Sequence, residues 1–516
     1  MKSNYLGLLV IPVCGTWLGC AEGGPRMPPA SEMGPPPAAG LSSDGGTVLV
    51  SSSTSFHTAA GVTVVPNELS DWNLEILVPN GSMFTHITGT PVPGGWQFTG
   101  VPPGMYYLKT GRNCIVTDAR EVDLDAHRLG RADTVPSNVS HSPLQLNLTN
   151  LAPWMPYLSS TEPGSSLQLA SGQVNLGGMV DLFEDVPTGQ TELVTNQAQM
   201  WNSIGRIPIF EADKGDRLYV NQLSQLDAGT LPDGEALAYS TVVRSVQMDA
   251  LDFTADGMTP LPATGRLEPV PQTALTLDWR LSAYTGHATA VHPLATPDFP
   301  SFYVFPSAYG LDHGWVGDEL AEVLSLQLPP GASFELTRPL TYGNPYPSTW
   351  GMVGYAQYAF RIEMPIPDGS GSTYDTLGIM LTHERLEDLV AAPVQPRVSP
   401  PRALTIDGVD ATVSRELSSV TPIVAWQPPT LGTPTAYRLD VYQYTGPYYA
   451  PRKGNVYVPG SVTQVRLPPG MLSPDSIHYL RLTVVDAPHY DVSRQSTLYL
   501  LPWAKADTLS SFFTTP

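Results

Sequence analysis

Apolar and polar residues alternate along much of the chain, and this period of two predicts β-strands. The clearest case is ALTLDWRLSAY, where Leu275, Leu277, Trp279, Leu281 and Ala283 share one face and the residues between them face the other way. The same alternation predicts further strands at SLQLAS, DRLYVNQL, EVLSLQL, ASFELTRPL and YAQYAFRIEM.

A strand, a turn and a second strand are predicted in GGWQFTGVPPGMYYLKTG. Trp96 and Phe98 point to one face, residues 101–104 form the turn, and Tyr106 and Leu108 resume the inward phase. The order Phe-x-x-Val-Pro-x-Gly-x-Tyr-x-Leu resembles carboxypeptidase regulatory-like (prealbumin-like) β-sandwiches. The resemblance implies a non-catalytic accessory domain over residues 46–151.

The C-terminal part, residues 398–516, contains a series of strand patterns in PRALTIDG, PIVAWQPP, AYRLDVYQY, TQVRLPPG, IHYLRLTVVDA and STLYLLPW. Their order resembles a fibronectin type III domain. Trp426 matches the core tryptophan of that family, Tyr437 the tyrosine that opens the third strand, and Leu472-x-Pro474 the turn before the tyrosine corner. His478 stands where the family has its corner tyrosine. Either a bulge shifts Tyr479 into the corner, or His478 replaces the tyrosine.

The middle of the chain predicts two β-rich domains of unknown type, residues 152–265 and 266–397. Helical spacing of apolar residues predicts one helix over Glu192 to Ile204, and HERLEDLVAA predicts a short second helix that starts at His383. The chain has 53 Pro and 46 Gly, which suits short strands joined by turns. The predicted fold is all-β, with several β-sandwich domains in tandem after a lipoprotein signal and a Pro-rich tether.

The first nineteen residues have the layout of an export signal. Lys2 gives a positive start, Tyr5 to Leu18 an apolar core too short to span a bilayer, and Gly19 a small residue before Cys20. The Leu-Gly-Cys ending resembles the lipobox of bacterial lipoproteins, which implies residues 1–19 as signal peptide and a lipid on Cys20. The alternative interpretation is an ordinary secretory signal with a chance cysteine.

Residues 20–45 are rich in Pro and Gly and predict a semi-extended tether. Ala21 and Glu22 follow Cys20, and in the lipoproteins that this segment resembles the absence of Asp at that position favours the outer membrane. The lipid on Cys20 is therefore the predicted membrane contact. Of the 3 cysteines, this leaves Cys114 without a partner, so we expect a fold without disulfides.

The charge balance restricts the partners. With 26 basic and 47 acidic residues the net charge is −21, which argues against nucleic acid and against electrostatic adhesion to anionic lipid. A protein or a glycan is the expected kind of ligand. In YTGPYYAP, residues 444–451, the tyrosines either stack on a sugar ring or pack locally beneath the prolines.

Motifs of catalysis are absent from the sequence: it has no Gly-x-Ser-x-Gly, no phosphate-binding loop of the Walker type and no dinucleotide fingerprint. The stretch GLDHGWVGDE is the one candidate for metal or acid/base chemistry, with Asp312, His313, Asp318 and Glu319 beside Trp315. A polar loop around an anchored tryptophan is the favoured interpretation. The sequence predicts no catalytic residue, no metal site and no cofactor.

The function expected from these observations is that of a non-catalytic, lipid-anchored cell-envelope protein that binds or scaffolds at the bacterial outer surface. Two alternatives stay open. One is an extracellular hydrolase with its catalytic centre in residues 152–394, and the other is a structural envelope protein that faces the periplasm.

Overall fold

The computed structural model describes residues 46–311, 314–316, 320–446, 449–496 and 499–516. Strands make up 52% of the chain and helices 4%. The predicted fold class is therefore confirmed, because the chain is all-β with several tandem domains. The boundaries assigned to those domains from the sequence stay predictions.

The first region forms two small sheets and one end of the large sheet, and its core also contains residues from the C-terminal part of the chain, among them Ala436 and Tyr457. As predicted, Phe98, Tyr106 and Leu108 are buried, and Trp96 is half-buried. The strand before the predicted turn pairs in a different sheet from the strand after it, so the turn carries the chain between layers. The elements are β1 Val48–Ser51, β2 Ser53–Thr58, β3 Gly61–Pro66, β4 Leu74–Asn80, β5 Met83–Thr88, β6 Thr90–Val92, β7 Gly95–Phe98, β8 Tyr106–Thr110, β9 Asn113–Thr117, β10 Glu121–Asp123, β11 Ala126–Leu129 and β12 His141–Thr149, with a 3-10 turn at Ser70–Trp72.

The second region builds a separate apolar core with β12 as a member of its sheet. The helix predicted at Glu192 to Ile204 is wrong, because these residues form a strand hydrogen-bonded on both sides, to β12 and to the strand Leu176–Leu182. Leu193, Met200 and Asn202 of this strand are buried, as expected for a strand that has a neighbour on each edge. The elements are β13 Ser166–Ser171, β14 Leu176–Leu182, β15 Leu193–Asn202, β16 Tyr219–Thr230, β17 Ala236–Gln247 and β18 Leu261–Arg266, with a 3-10 turn at Ala212–Lys214.

The third region contains the clean alternation, and Leu275, Leu277 and Trp279 are buried as predicted. The strand ends at Arg280 and does not reach Ala283, because a helix begins there. The helix predicted from His383 is shorter than expected, since that residue still lies in a strand. The elements are β19 Glu268–Pro269, β20 Gln272–Arg280, α1 Ser282–Thr289, β21 Ala295–Ser307, β22 Leu324–Gln327, β23 Glu335–Gly343, β24 Gly351–Pro365, β25 Thr373–Arg385 and α2 Leu386–Leu389.

The fourth region has most of its strands where the pattern predicts them, and Trp426 and Tyr437 are buried in contact at a ring distance of 5.1 Å. The last strand lies later than expected, because the described residues from Tyr499 to Pro502 are outside any strand. The elements are β26 Arg402–Ile406, β27 Val409–Asp410, β28 Ile423–Gln427, β29 Ala436–Gln443, β30 Arg452–Pro459, β31 Gln464–Arg466, β32 Ile477–Asp486, β33 Trp503–Leu509 and β34 Phe513–Thr514.

His478 lies on β32 inside the fourth region. Its ring is fully buried, and Nε2 lies 3.2 Å from the carbonyl oxygen of Ser473, five residues upstream. The pairing of β32 with β29 runs without a bulge. Tyr479 therefore points to the opposite face, where it stacks on Tyr442 at a ring distance of 4.7 Å. No bulge therefore shifts Tyr479, and the resemblance of this region to a fibronectin type III domain stays a prediction.

Edge-to-edge pairing joins the regions into one hydrogen-bonded ladder. β17 pairs with β22, β25 with β33, and β9 pairs in parallel with β30, so strands from the first and fourth regions are neighbours. One core cluster contains residues from all four regions, between Leu77 and Phe513. Gly45–Pro516 accordingly forms one compact unit.

The junction of β9 and β30 depends on Gly454. A Cβ atom at this position would collide with the carbonyl oxygen of Arg112 and would lie 2.9 Å from the sulfur of Met471. We expect Gly454→Ala to lower the free energy of unfolding by about 1–3 kcal/mol, the usual cost of overpacking. Urea unfolding measures this loss, and hydrogen exchange of the Asn455 amide, which bonds Arg112 at 3.2 Å, reports the junction itself.

Gly286→Ala provides the matched control, because a Cβ atom there meets nothing within 4 Å. Gly286 lies inside α1, where alanine favours the helix by up to about 1 kcal/mol. Equal stability of the two variants would contradict the importance of the close approach at Gly454.

Candidate functional site

The site residues named from the sequence lie outside the described part of the chain. This holds for Cys20 and for the cluster of Asp312, His313, Asp318 and Glu319. Their assignments stay predictions. Within the described ranges, no group of three or more His, Cys, Asp or Glu residues is arranged to hold a metal ion.

Trp315, the tryptophan of that predicted loop, is described and buried. Its ring stacks on His57 at 4.6 Å and lies 5.7 Å from the ring of His127. The two histidines come from the adjacent strands β2 and β11, and their ring nitrogens Nε2 and Nδ1 are 2.9 Å apart. The indole of Trp315 thus packs on strands of the first region.

Of the two described tyrosines in residues 444–451, Tyr444 is packed and Tyr449 is exposed. Tyr444 contacts Tyr374 and Phe512 edge-on at 5.8 and 5.6 Å. Tyr449 is 66% exposed, while Pro447 and Tyr448 lie outside the described residues. Local packing therefore accounts for Tyr444, which leaves Tyr449 as the described ring that is free to meet a ligand from solvent.

A different surface brings more functional chemistry together. We call it the polar sheet face: the outward side of β21, β24, β25, β33, β32, β29 and β30, whose inward side packs in the main core. The strand AYRLDVYQY shows how the two sides of the sheet come to differ. Leu439 and Val441 enter the core, while Arg438, Asp440 and Tyr442 point to the other side.

An aromatic row crosses the polar sheet face on four adjacent strands. Tyr303, Tyr355, His383 and Trp503 occupy directly opposed positions of β21, β24, β25 and β33. Successive ring centroids are 6.0, 5.6 and 5.0 Å apart, with the rings edge to face. The two tyrosines and the tryptophan are half-buried, and part of each packs against a small apolar cluster that includes Phe305.

His383 is the buried member of the aromatic row, with 1% of its surface exposed. Neither ring nitrogen has a hydrogen-bond partner among the described residues. Burial, with a smaller effect of the nearby charge of Lys505, lowers the pKa of His383 to about 3. The imidazole is therefore neutral at physiological pH.

The next row of the same face contains Ser301, Gln357, Leu381 and Lys505 in register. Ser301 is fully buried, and its hydroxyl also has no partner within the described ranges. The ammonium nitrogen of Lys505 lies 5.7 Å from the centroid of the Trp503 ring. Burial lowers the pKa of Lys505 to about 8, which leaves it charged at pH 7.

A charged cluster adjoins the aromatic row and starts from two buried carboxylates. Asp440 is fully buried and accepts a hydrogen bond from Nε of Arg438 at 3.0 Å, with Arg452 at 3.5 Å. Asp507 is 3% exposed and accepts from the Thr483 hydroxyl at 2.7 Å. The charged cluster consists of Arg438, Asp440, Arg452, Arg481, Lys505 and Asp507.

The cations of the charged cluster stay partly accessible. The side chains of Arg438, Arg452 and Arg481 are 20%, 27% and 20% exposed. The Arg481 guanidinium also lies over the Tyr442 ring, 5.4 Å from its centroid. Because the carboxylates are buried and the cations are not, the accessible charge of this surface is positive.

Other candidate groups serve the structure. Asp123 accepts a hydrogen bond from the Ser51 hydroxyl, and Asp125 accepts one from the Ser53 hydroxyl at 2.9 Å, so these carboxylates bridge strands. Cys114 is buried on β9, and burial raises the pKa of its thiol to about 12. A thiol with such a pKa does not act as a nucleophile at neutral pH.

Comparison with known proteins assigns no family: no family model matches this chain, and no curated protein matches it. In the part of the chain that the structure describes, no helix is both long and apolar enough to cross a membrane.

His383 gives a testable pH dependence. Its pKa is lower in the folded state than the ordinary value of 6.5, so the unfolded chain binds the proton first and stability falls as the pH drops from about 7. Between pH 6.5 and 5 this proton binding lowers the free energy of unfolding by about 2 kcal/mol. We expect His383→Phe to remove that part of the acid destabilisation in urea unfolding at a series of pH values.

The exposed His489 offers the control for this experiment. His489→Phe should leave the pH dependence of the native protein in place, because an exposed ring is solvated in both states. If the stability of His383→Phe falls with decreasing pH as steeply as that of the native protein, His383 is not the neutral buried group described above.

Proposed function

We propose that this protein is a non-catalytic, lipid-anchored cell-envelope protein that binds or scaffolds at the outer surface of the bacterial outer membrane. We further propose that the polar sheet face is its binding surface. The observation that carries this proposal is the combination, on one outward face, of half-buried aromatic rings, accessible cations and buried polar atoms without partners. A ligand contacts such groups without any covalent bond being formed or broken.

The tandem β-architecture supports a binding role. Strands of distant regions are fixed to one another by backbone hydrogen bonds, so a surface spread over several strands keeps its geometry without a ligand. Preorganised surfaces of this kind lose little conformational entropy on binding. Side chains on strands are also held more accurately than side chains on loops.

Attachment through a lipid on Cys20 fits the charge of the chain. A net charge of −21 opposes adhesion to an anionic bilayer, so the acyl chain supplies the membrane affinity. The Pro- and Gly-rich residues 21–45 then act as the spacer between the lipid and the folded body. The resemblance of the two outer regions to carboxypeptidase regulatory-like and fibronectin type III domains supports the same role, because both are accessory folds.

Protease shaving of intact and lysed cells tests the location. We expect the native protein to be cleaved on intact cells and to fractionate with the outer membrane. Cys20→Ala removes the acceptor of the lipid, and this variant should leave the membrane fraction. Cys14→Ala is the matched control, because it makes the same change six positions earlier in the same segment and should behave as the native protein.

Each departure from this pattern has a defined meaning. Protection of the native protein until lysis would replace the surface role by a periplasm-facing structural role. Membrane retention of Cys20→Ala, or release of Cys14→Ala, would contradict the lipid on Cys20.

A further inference from the structure

We propose that the polar sheet face binds a glycan with isolated carboxylate groups, whose sugar rings lie on the aromatic row and whose carboxylates meet the cations of the charged cluster. This inference rests on the proposed function and names the ligand class of the same surface. It follows from three properties of the described residues.

The first property is a local charge opposite to that of the whole chain. The carboxylates of Asp440 and Asp507 are buried and already bonded to Arg438 and Thr483, whereas the side chains of the arginines stay partly exposed. Guanidinium groups bind carboxylates through paired hydrogen bonds. The two carboxylates face four partly accessible cations, which are Arg438, Arg452, Arg481 and Lys505.

The net charge of −21 restricts the ligand further. Salt screens charges beyond about 8–10 Å, so an isolated carboxylate at the polar sheet face senses mainly the local cations. A densely charged polymer extends past this surface and meets the acidic body of the protein. Widely spaced carboxylates on an otherwise neutral glycan therefore fit better than nucleic acid or a polysulfate.

The second property is the order of the rings. Tyr303 and Tyr355 are half-buried on adjacent strands about 4.8 Å apart, and Trp503 is half-buried two strands further on, beyond His383. Each of the three combines an apolar ring with a polar edge. A pyranose ring has the same combination, with C–H groups on its faces and hydroxyl groups at its rim. From β21 to β30 the polar sheet face is roughly 30 Å wide, enough for a short oligosaccharide.

The third property is the set of buried polar atoms without partners on the same face. Within the described ranges they are the hydroxyl groups of Ser301 and Ser307, both ring nitrogens of His383, Oδ1 of Asn455 and Nε of Arg481. Each such atom costs about 1–3 kcal/mol when it stays unpaired. Sugar hydroxyl groups, or the waters that they order, supply the missing donors and acceptors.

The test uses the native protein, extracted from membranes in detergent, and a hyaluronan oligosaccharide as the probe. This probe alternates a carboxylate-bearing sugar with a neutral one. The same oligosaccharide with its carboxyl groups reduced to alcohols is the neutral comparison. Calorimetry at low and high salt measures both. We expect binding of the acidic form, weaker binding at high salt, and at least tenfold weaker binding of the reduced form.

Variants place the binding on the polar sheet face. Lys505→Gln should weaken binding of the acidic oligosaccharide about tenfold, because Lys505 is the member of the charged cluster that adjoins the aromatic row. Lys505→Arg should restore it, since the positive charge returns. Lys109→Gln removes the same charge from β8 of the first region and should bind as the native protein does. Thermal unfolding of each variant shows whether it is folded.

The outcomes separate this inference from the proposed function. Absence of binding, or equal binding of the acidic and reduced oligosaccharides, would overturn the ligand class while protease shaving still decides the location. Native-like binding by a folded Lys505→Gln, or a matching loss in Lys109→Gln, would overturn the assignment to the polar sheet face.

Discussion

Backbone pairing between the outer strands of different regions is the interaction on which this structure depends. The outer strand of any sheet presents unpaired N–H and C=O groups, which natural proteins must cover or pair. Here β9 takes β30 as its neighbour, β33 takes β25, and β22 takes β17. The regions therefore behave as parts of one ladder, and Gly454 shows how close the backbones come at one of these junctions.

This pairing creates the polar sheet face. Strands far apart in sequence become neighbours at the spacing of a sheet, so Tyr303, Tyr355, His383 and Trp503 form a row although 200 positions separate the first from the last. The inward side of the same strands is mostly apolar and fixes the register, with Thr382, His478 and Thr508 as buried polar members. The outward side thus receives its charges and rings in a defined order, under partial burial that shifts the pKa values of His383 and Lys505.

The alternation of apolar and polar residues predicted most individual strands correctly. Leu275, Leu277 and Trp279 are buried where the pattern placed them. The prediction failed at Glu192 to Ile204, where helical spacing and strand alternation overlap and tertiary pairing on both sides decided for the strand. The alternation also predicted no strand at β30, because Pro451 and Gly454 interrupt the pattern there. In the structure, pairing with β29 and β9 holds this backbone extended.

The candidate site was not predictable in the same way. The sequence by itself determined which residues of each strand face inward, because that alternation is local and has a period of two. It also determined the composition of the outward side of AYRLDVYQY, with Arg438 and Asp440. Only the tertiary structure decided which strands lie side by side, since every strand edge offers the same backbone donors and acceptors and the choice depends on how all regions pack together.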